Sequence, residues 1–361
     1  MRQHPEVKEI RFWCDKKFEA QARAIMAKTD ASVPVATITA GKLRRYHHLK
    51  WWQHIIDLTV LLPNLRDMMK VVAGLIQAFI ELLLWRPDVV FTKGGYVCLP
   101  VGWAAHLLNI PLVVHDSDAH PGLTNRLLAR HATFIATGAP LECYSYPKEK
   151  SQFVGIPISD QFYPRSASQK HATKQKLGFD PNLQLVVVTG GGLGAKRIND
   201  AVAKDVDNLT TYYSVLLISG AAQFDELKSR LGGKRQNFVL KSFISEGMAD
   251  IIGAADVVVA RAGASTLLEL AAAHAPTVLV PNARLTGGHQ VKNAKVYDDA
   301  QAVVVVDEEK FATQPDYLRK EIDLVLNNED QLNTLAKNIS KFAKPNAAKD
   351  VTAMILKAAK K

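Results

Sequence analysis

Short β-branched runs alternate with helical patterns along almost the whole chain, and this alternation constrains the fold more than any other feature. Each pairing of a run with a helix reads as one β-α step, and a series of steps builds a parallel sheet with helices on its faces. In the first half, strands are expected at 10–12, 33–39, 88–92, 112–115 and 133–137, with helices near 17–26, 54–84, 97–108 and 124–130. A second series opens at 183–189 and continues at 214–219, 238–243, 256–260, 277–281 and 302–306. With 361 residues and ~150 residues per domain, the natural account is two Rossmann-like doubly wound domains. The expected boundaries are a first domain at 1–158, a polar linker with a short helix at 159–180, a second domain at 181–340, and a C-terminal helix at 341–361 that packs back on the first domain.

Composition narrows the partners. Lys and Arg number 45 against 35 Asp and Glu, a formal net charge of +10; phosphates or anionic lipid suit such a surface, and a merely solvated surface explains it equally well. Nucleic acid is not expected, since no DNA- or RNA-binding signature is present. Cys14, Cys98 and Cys143 are odd in number and widely spaced, which argues against both a disulfide framework and a zinc site. Residues 1–6 carry no apolar run, so no signal peptide is expected. The apolar stretch 71–85 is interrupted by Gln77 and Glu81 and falls short of the ~20 residues a membrane span needs.

Chemistry concentrates at the expected strand ends. The strand at 183–189 runs into Gly190, Gly191, Gly192, Leu193 and Gly194 before a helix, a turn that brings backbone N–H groups up to a diphosphate; tight packing without a ligand is the alternative. The spacing is not the dinucleotide fingerprint, and no acidic residue ends the next strand. A second turn, Arg261 to Thr266, leads into a helix carrying Glu269. Ser265 or Thr266 there suits a phosphate and Glu269 a ribose, while Ser265 also reads as a plain N-cap and Glu269 as a solvated residue. A third loop carries His289, Gln290 and Asn293. In the first half, Lys93, Gly94, Gly95 and Tyr96 follow one strand, and His115, Asp116 and Asp118 end the next, ahead of Asn125; His115 between carboxylates is a candidate acid/base group.

Taken in order, these pieces resemble the MurG family of peptidoglycan glycosyltransferases. The resemblance covers most of the chain. Arg-Pro-Asp-Val-Val-Phe-Thr-Lys-Gly-Gly-Tyr-Val (86–97), Ile-Pro-Leu-Val-Val-His-Asp-Ser-Asp (110–118) and Pro-Gly-Leu-Thr-Asn (121–125) match its acceptor-domain motifs. Gly-Gly-Gly-Leu-Gly-Ala with Asn199, then Phe243-Ile244, Arg-Ala-Gly-Ala-Ser-Thr-Leu-Leu-Glu (261–269) and His-Gln-x-x-Asn-Ala (289–294) match its donor-domain motifs.

The resemblance implies an α/β protein of GT-B fold, two Rossmann-like domains facing across a cleft. It implies inverting transfer of N-acetylglucosamine from UDP-N-acetylglucosamine, a substrate, to undecaprenyl-diphosphate-linked muramoyl-pentapeptide, without cofactor or metal. Donor contacts carry over to Gly191, Gly192, Gly194, the Ile244 backbone, Arg261, Gly263, Ala264, Ser265, Thr266, Leu267, Leu268, Glu269, His289 and Gln290. Acceptor contacts carry over to Lys93, Gly94, Gly95, Tyr96 and Asn125. The chain departs from the family in opening at what reads as the second strand, without the first glycine loop and its His, either because the start codon is placed too late or because this is a variant lacking the first β-α unit. It also has Gly192 in place of a Ser, and Ile156-Pro157-Ile158-Ser159 in place of Asn-Pro-x-Arg. With the family's leading base absent, His115 aided by Asp118 is the expected catalytic pair. Rival readings are a UDP-sugar diacylglycerol glycosyltransferase, a UDP-N-acetylglucosamine epimerase, or a non-catalytic nucleotide-sugar or lipid-binding variant. A lipid-linked acceptor places the protein peripherally on the cytoplasmic face of the cell membrane. Lys42, Arg44, Arg45, His47, His48 and Lys50 beside Trp51 and Trp52, with the apolar helix after them, suit an anionic membrane surface; a core helix behind a basic loop is the alternative.

Overall fold

The computed structural model describes residues 1, 4–42, 58–192, 194–232, 235–284 and 288–361. The chain forms two compact units, Met1–Val154 with Ala348–Lys361, and Gly155–Ala347.

In the first unit the elements run β1 (Phe12–Cys14), α1 (Glu19–Thr29), β2 (Val35–Thr37), α2 (Leu58–Trp85), β3 (Val90–Thr92), α3 (Cys98–Leu107), β4 (Leu112–Asp116), α4 (Leu123–Leu128), β5 (Phe134–Thr137) and β6 (Ser151–Phe153). All pairings are parallel, in two sheets: β1-β2, and β3-β4-β5-β6. The smaller sheet is fastened beside β3 by side chains: the Trp85 indole N–H donates to Glu9 (3.0 Å) and the Tyr96 hydroxyl to Asp15 (2.8 Å). β4 is an inner strand buried along its whole length, which is why it reads as an unbroken apolar run rather than an alternation.

The second unit begins with α5 (Ala167–Lys176) and continues β7 (Leu185–Thr189), α6 (Lys196–Lys204), α7 (Val206–Tyr212), β8 (Ser214–Ile218), α8 (Ala221–Leu231), β9 (Phe238–Lys241), α9 (Met248–Ala254), β10 (Val257–Ala260), α10 (Ala264–Ala272), β11 (Thr277–Leu279), α11 (His289–Asp299), β12 (Val304–Val305), α12 (Tyr317–Leu326) and α13 (Glu329–Ser340). Its parallel sheet has the order β12-β11-β10-β7-β8-β9. The chain leaves β7 toward β8 and returns on its other side at β10, so the order reverses between β7 and β10, the place where open α/β sheets bind ligands beyond the strands' carboxyl ends. A last helix, α14 (Ala347–Ala359), packs Val351, Met354, Ile355 and Ala358 on Val113, Ala136 and Val154 of the first unit.

Two expectations are corrected. Residues 159–180 are no linker but part of the second unit: Arg165 pairs with Asp250 (2.8 Å), Lys174 with Asp256 (2.8 Å), and Phe179 is buried in the core. Their polar composition hides burial achieved through ion pairs. The apolar segment before β3 is also longer than the sequence suggested. Leu61–Trp85 is long and apolar enough to cross a membrane by length and composition, yet one stripe of it, Val71, Gly74, Ala78 and Leu82, is buried in the first unit. Gly74 is required because a Cβ there would lie 1.8 Å from the Thr39 carbonyl oxygen. Gln77, polar amid this stretch, donates to Thr37 O (2.8 Å) and accepts from Thr39 N (3.0 Å), closing the end of β2.

Candidate active site

At the end of β7 the chain turns sharply into α6. Gly191 and Gly194 have φ of +76°, and the Gly194 N–H donates to Gly191 O (3.0 Å). A Cβ on Gly194 would lie 2.2 Å from Ser219 O, whereas Gly191 and Gly192 face open space. Below the loop, Asn199 donates to Ser219 O (2.9 Å) and Gln223 (2.8 Å), pinning the start of α6 to the end of β8.

At the neighbouring end of β10, Gly263 caps α10 without a side-chain hydrogen bond, so the first N–H groups of that helix receive no side-chain cap from it. Gly263 has φ −75° and its nearest neighbour, Thr266 Oγ1, would be 3.7 Å from a Cβ; nothing among the described residues demands glycine here. Ser265 is exposed, and Ala264 and Thr266 are half-buried. Glu269 lies one turn further along, half-buried, and burial pushes its carboxyl up to about 7. From α11, Asn293 donates to Ala262 O (3.1 Å), and Gln290 accepts from Asn282 N (2.9 Å) through its side-chain oxygen. His289 opens that helix behind Gly288, whose φ is +61°. Ile244 packs on the core with Phe243 beside it exposed.

Three of the expected donor residues, Arg261, Leu267 and Leu268, are engaged or buried within the protein. The Arg261 guanidinium is engaged within the protein, by Val280 O (2.9 Å) and Glu308 (2.6 Å). Leu267 and Leu268 are buried side chains, and the Leu267 N–H is taken by Gly263 O (2.9 Å); their part is to seat α10. Leu193 lies outside the described residues.

In the first unit the ends of β3 and β4 come together. Gly94 and Gly95 both have positive φ, and a Gly94 Cβ would lie 3.1 Å from Asn125 Nδ2. Asn125 is buried; its amide donates to His115 O (3.3 Å), and its Oδ1 has no hydrogen-bond partner among the described residues. Lys93 is exposed and the Tyr96 hydroxyl is held by Asp15, which helps push it up to about 12 after the larger effect of burial. The expectation for His115 is corrected: its side chain is fully buried, with Nδ1 3.3 Å from Ser117 Oγ and its ring edge-on to Phe91. β4 is one residue longer than expected and inner, so its last side chains point into packed layers. Asp118, beyond the strand, is half-buried. Asp116, read from the sequence only as a carboxylate flanking His115, is 4% exposed and accepts from the Tyr146 hydroxyl at 2.7 Å; burial pushes it up to about 6.

The chain matches known proteins over most of its length. The glycosyltransferase family 28 N-terminal domain matches residues 27–137, and its C-terminal domain residues 185–351. The UDP-N-acetylglucosamine--N-acetylmuramyl-(pentapeptide) pyrophosphoryl-undecaprenol N-acetylglucosamine transferase of Clostridium botulinum (strain Loch Maree / Type A3) is 32% identical over 322 residues, 89% of this chain and 84% of the relative. The transferase of the same name from Clostridium perfringens (strain ATCC 13124) is 32% identical over 336 residues, 92% of this chain and 87% of the relative. The chain belongs to the MurG family. The fold agrees: Acinetobacter baumannii MurG superposes with a TM-score of 0.71 at 22% identity, covering 97% of this chain and 91% of that one. A UDP-GlcNAc 2-epimerase from Neisseria meningitidis superposes at 0.59 with 12% identity, covering 97% and 100%, a likeness of fold alone. The chain is a glycosyltransferase of two α/β domains.

Proposed function

We propose that this chain transfers N-acetylglucosamine from UDP-N-acetylglucosamine to undecaprenyl-diphosphate-linked muramoyl-pentapeptide, releasing UDP. What carries the reading is a nucleotide-diphosphate site at the neighbouring ends of β7 and β10 in a chain 32% identical, over nine-tenths of its length, to transferases of that name. The second unit takes the donor. Backbone N–H groups of the Gly191–Gly194 turn and of Ala264–Thr266 meet the diphosphate, and the N-terminus of α10 stabilises the charge that develops as UDP leaves. Glu269 accepts from the ribose hydroxyls and the Gln290 amide reaches the sugar. No metal is needed in this reading.

The first unit takes the acceptor at Lys93–Tyr96 and Asn125. With His115 enclosed, Asp118 becomes the base that receives the proton of the attacking hydroxyl, its backbone held by the Tyr144 hydroxyl, which donates to Asp118 O (2.7 Å). The acceptor's lipid places the work at a bilayer, and the exposed face of α2 suits peripheral attachment on the cytoplasmic side. The test is incubation of the full chain with UDP-N-acetylglucosamine and a lipid-linked muramoyl-pentapeptide, with and without EDTA. Disaccharide-lipid and UDP should form in equal amounts under both conditions; epimerised donor without acceptor-dependent product would replace this reading with the epimerase.

A further inference from the structure

We propose that Glu308 is a positioning residue that sets the distance between the two diphosphate-binding turns; the inference rests on the donor reading above. Arg197 is the second residue of α6, directly beyond the first glycine turn, and Arg261 stands between β10 and Gly263, at the head of the second. Their guanidiniums meet on one carboxylate. Arg197 Nη1 lies 3.1 Å from Glu308 Oε1, and Arg261 Nη2 pairs with Oε2 at 2.6 Å. Arg261 Nη1 also donates to Val280 O at 2.9 Å, just past the end of β11. Glu308 itself comes from the segment after β12, and its side chain is 4% exposed, against 11% for Arg261 and 34% for Arg197.

A buried ion pair adds little net stability over a packed apolar alternative, so the geometry it fixes is the more informative property. Here one carboxylate joins the roots of two turns that lie on adjacent strands. Outside it, Glu309 repeats the arrangement at the surface, 3.9 Å from Arg197 and 3.4 Å from Arg284, a few residues before His289 and Gln290 in sequence. Exposure makes these outer pairs weak. A diphosphate touches both turns and its affinity follows their spacing; a nucleoside touches neither. Glu308 therefore acts on phosphate binding through Arg197 and Arg261, without itself contacting the ligand.

The experiment measures UDP and uridine binding, donor kinetics and melting temperature for the full chain and for Arg197→Gln, Arg197→Lys and Glu308→Gln. Arg197→Gln keeps the inner Glu308–Arg261 pair and is expected to fold. Its UDP Kd and donor KM should rise together by about five- to tenfold, the order of one lost charge-assisted contact, with kcat and uridine affinity within about twofold of the parent on the same scale. Arg197→Lys, which returns a cation without the planar fork, should recover part of the loss. Glu308→Gln should lose more UDP affinity and also melt lower. Parallel loss of UDP and uridine binding, or a lower melting temperature with unchanged UDP affinity in Arg197→Gln, overturns the inference while leaving the donor reading in place. A parent chain that binds neither ligand overturns both.

Discussion

Glu269 combines burial, a carboxyl raised to about 7 and a place one turn into α10, and these fix what its loss and its titration should do. Glu269→Ala is expected to weaken UDP binding by ~1.5–3 kcal/mol, the range for a hydrogen bond to a charged group, in a folded protein; calorimetry that finds unchanged affinity removes it from the site. The pH dependence has a definite sign. Ribose hydroxyls donate to the ionised form, so protonation opposes binding, and UDP affinity should fall by about tenfold from pH 8 to pH 6. UDP titrates as well, so the quantity to read is the difference from Glu269→Gln, whose own step should be absent. Stability runs the other way: a carboxyl whose folded pKa is raised favours the native state while protonated, a contribution withdrawn as pH climbs from 4.5 toward 7. Asp118 makes a separate prediction. If it takes the acceptor proton, Asp118→Asn should cut turnover by about 10²- to 10⁴-fold with UDP affinity unchanged. Turnover within a few-fold of the parent would return the base to another group.

Among the elements, the two turns separate glycine needed by the fold from glycine needed by a ligand. Gly194→Ala combines a positive φ with a Cβ 2.2 Å from Ser219 O; it should cost well over the ~1–2 kcal/mol of a left-handed residue alone, read as a lowered melting temperature. Gly263→Ala meets neither obstacle, so its melting temperature should hold while UDP affinity drops, because the new methyl stands where the diphosphate approaches. Unchanged UDP affinity in Gly263→Ala would place the phosphates elsewhere. The strands with β-branched runs, such as Leu185–Thr189 and Ser214–Ile218, were legible because burial on both faces writes itself as uninterrupted Val, Leu and Ile. Ser151–Phe153 was not, being a short edge strand of Ser and Gln with no apolar pattern. The turns after β7 and β10 were legible as turns because glycines after a strand leave a local mark. The enclosure of His115 and the pairing of Arg261 with Glu308 were not, since both depend on elements far apart in the chain, and side-chain type alone does not say which way a strand's last residue points.

For the whole molecule the unresolved contrast is α2, a helix apolar on nearly every side with only one stripe buried. Opposite Val71, Gly74, Ala78 and Leu82, the exposed residues are Leu62, Leu65, Met69, Val72, Ile76, Ile80 and Leu83, and they follow one another at helical spacing. A helix that is hydrophobic all round belongs in a core or against lipid, and so continuous an exposed ridge marks an interaction surface. Arg66 and Lys70 flank the ridge, exposed; of the basic and aromatic cluster read from sequence, residues 43–57 lie outside the described part of the chain. The apolar and basic features predict different salt behaviour. Met69→Gln, Ile76→Gln and Ile80→Gln together should reduce binding to anionic vesicles at both low and high salt, since buried apolar area is not screened. Replacing Lys42, Arg44, Arg45 and Lys50 by Gln should reduce it chiefly at low salt, each well-placed cation contributing ~1 kcal/mol there. UDP affinity should be unchanged in both, because the proposed donor site lies in the other unit. Co-sedimentation separates the cases: a triple variant that binds vesicles as well as the parent at both salt levels would leave the ridge to a protein partner and the bilayer to another face.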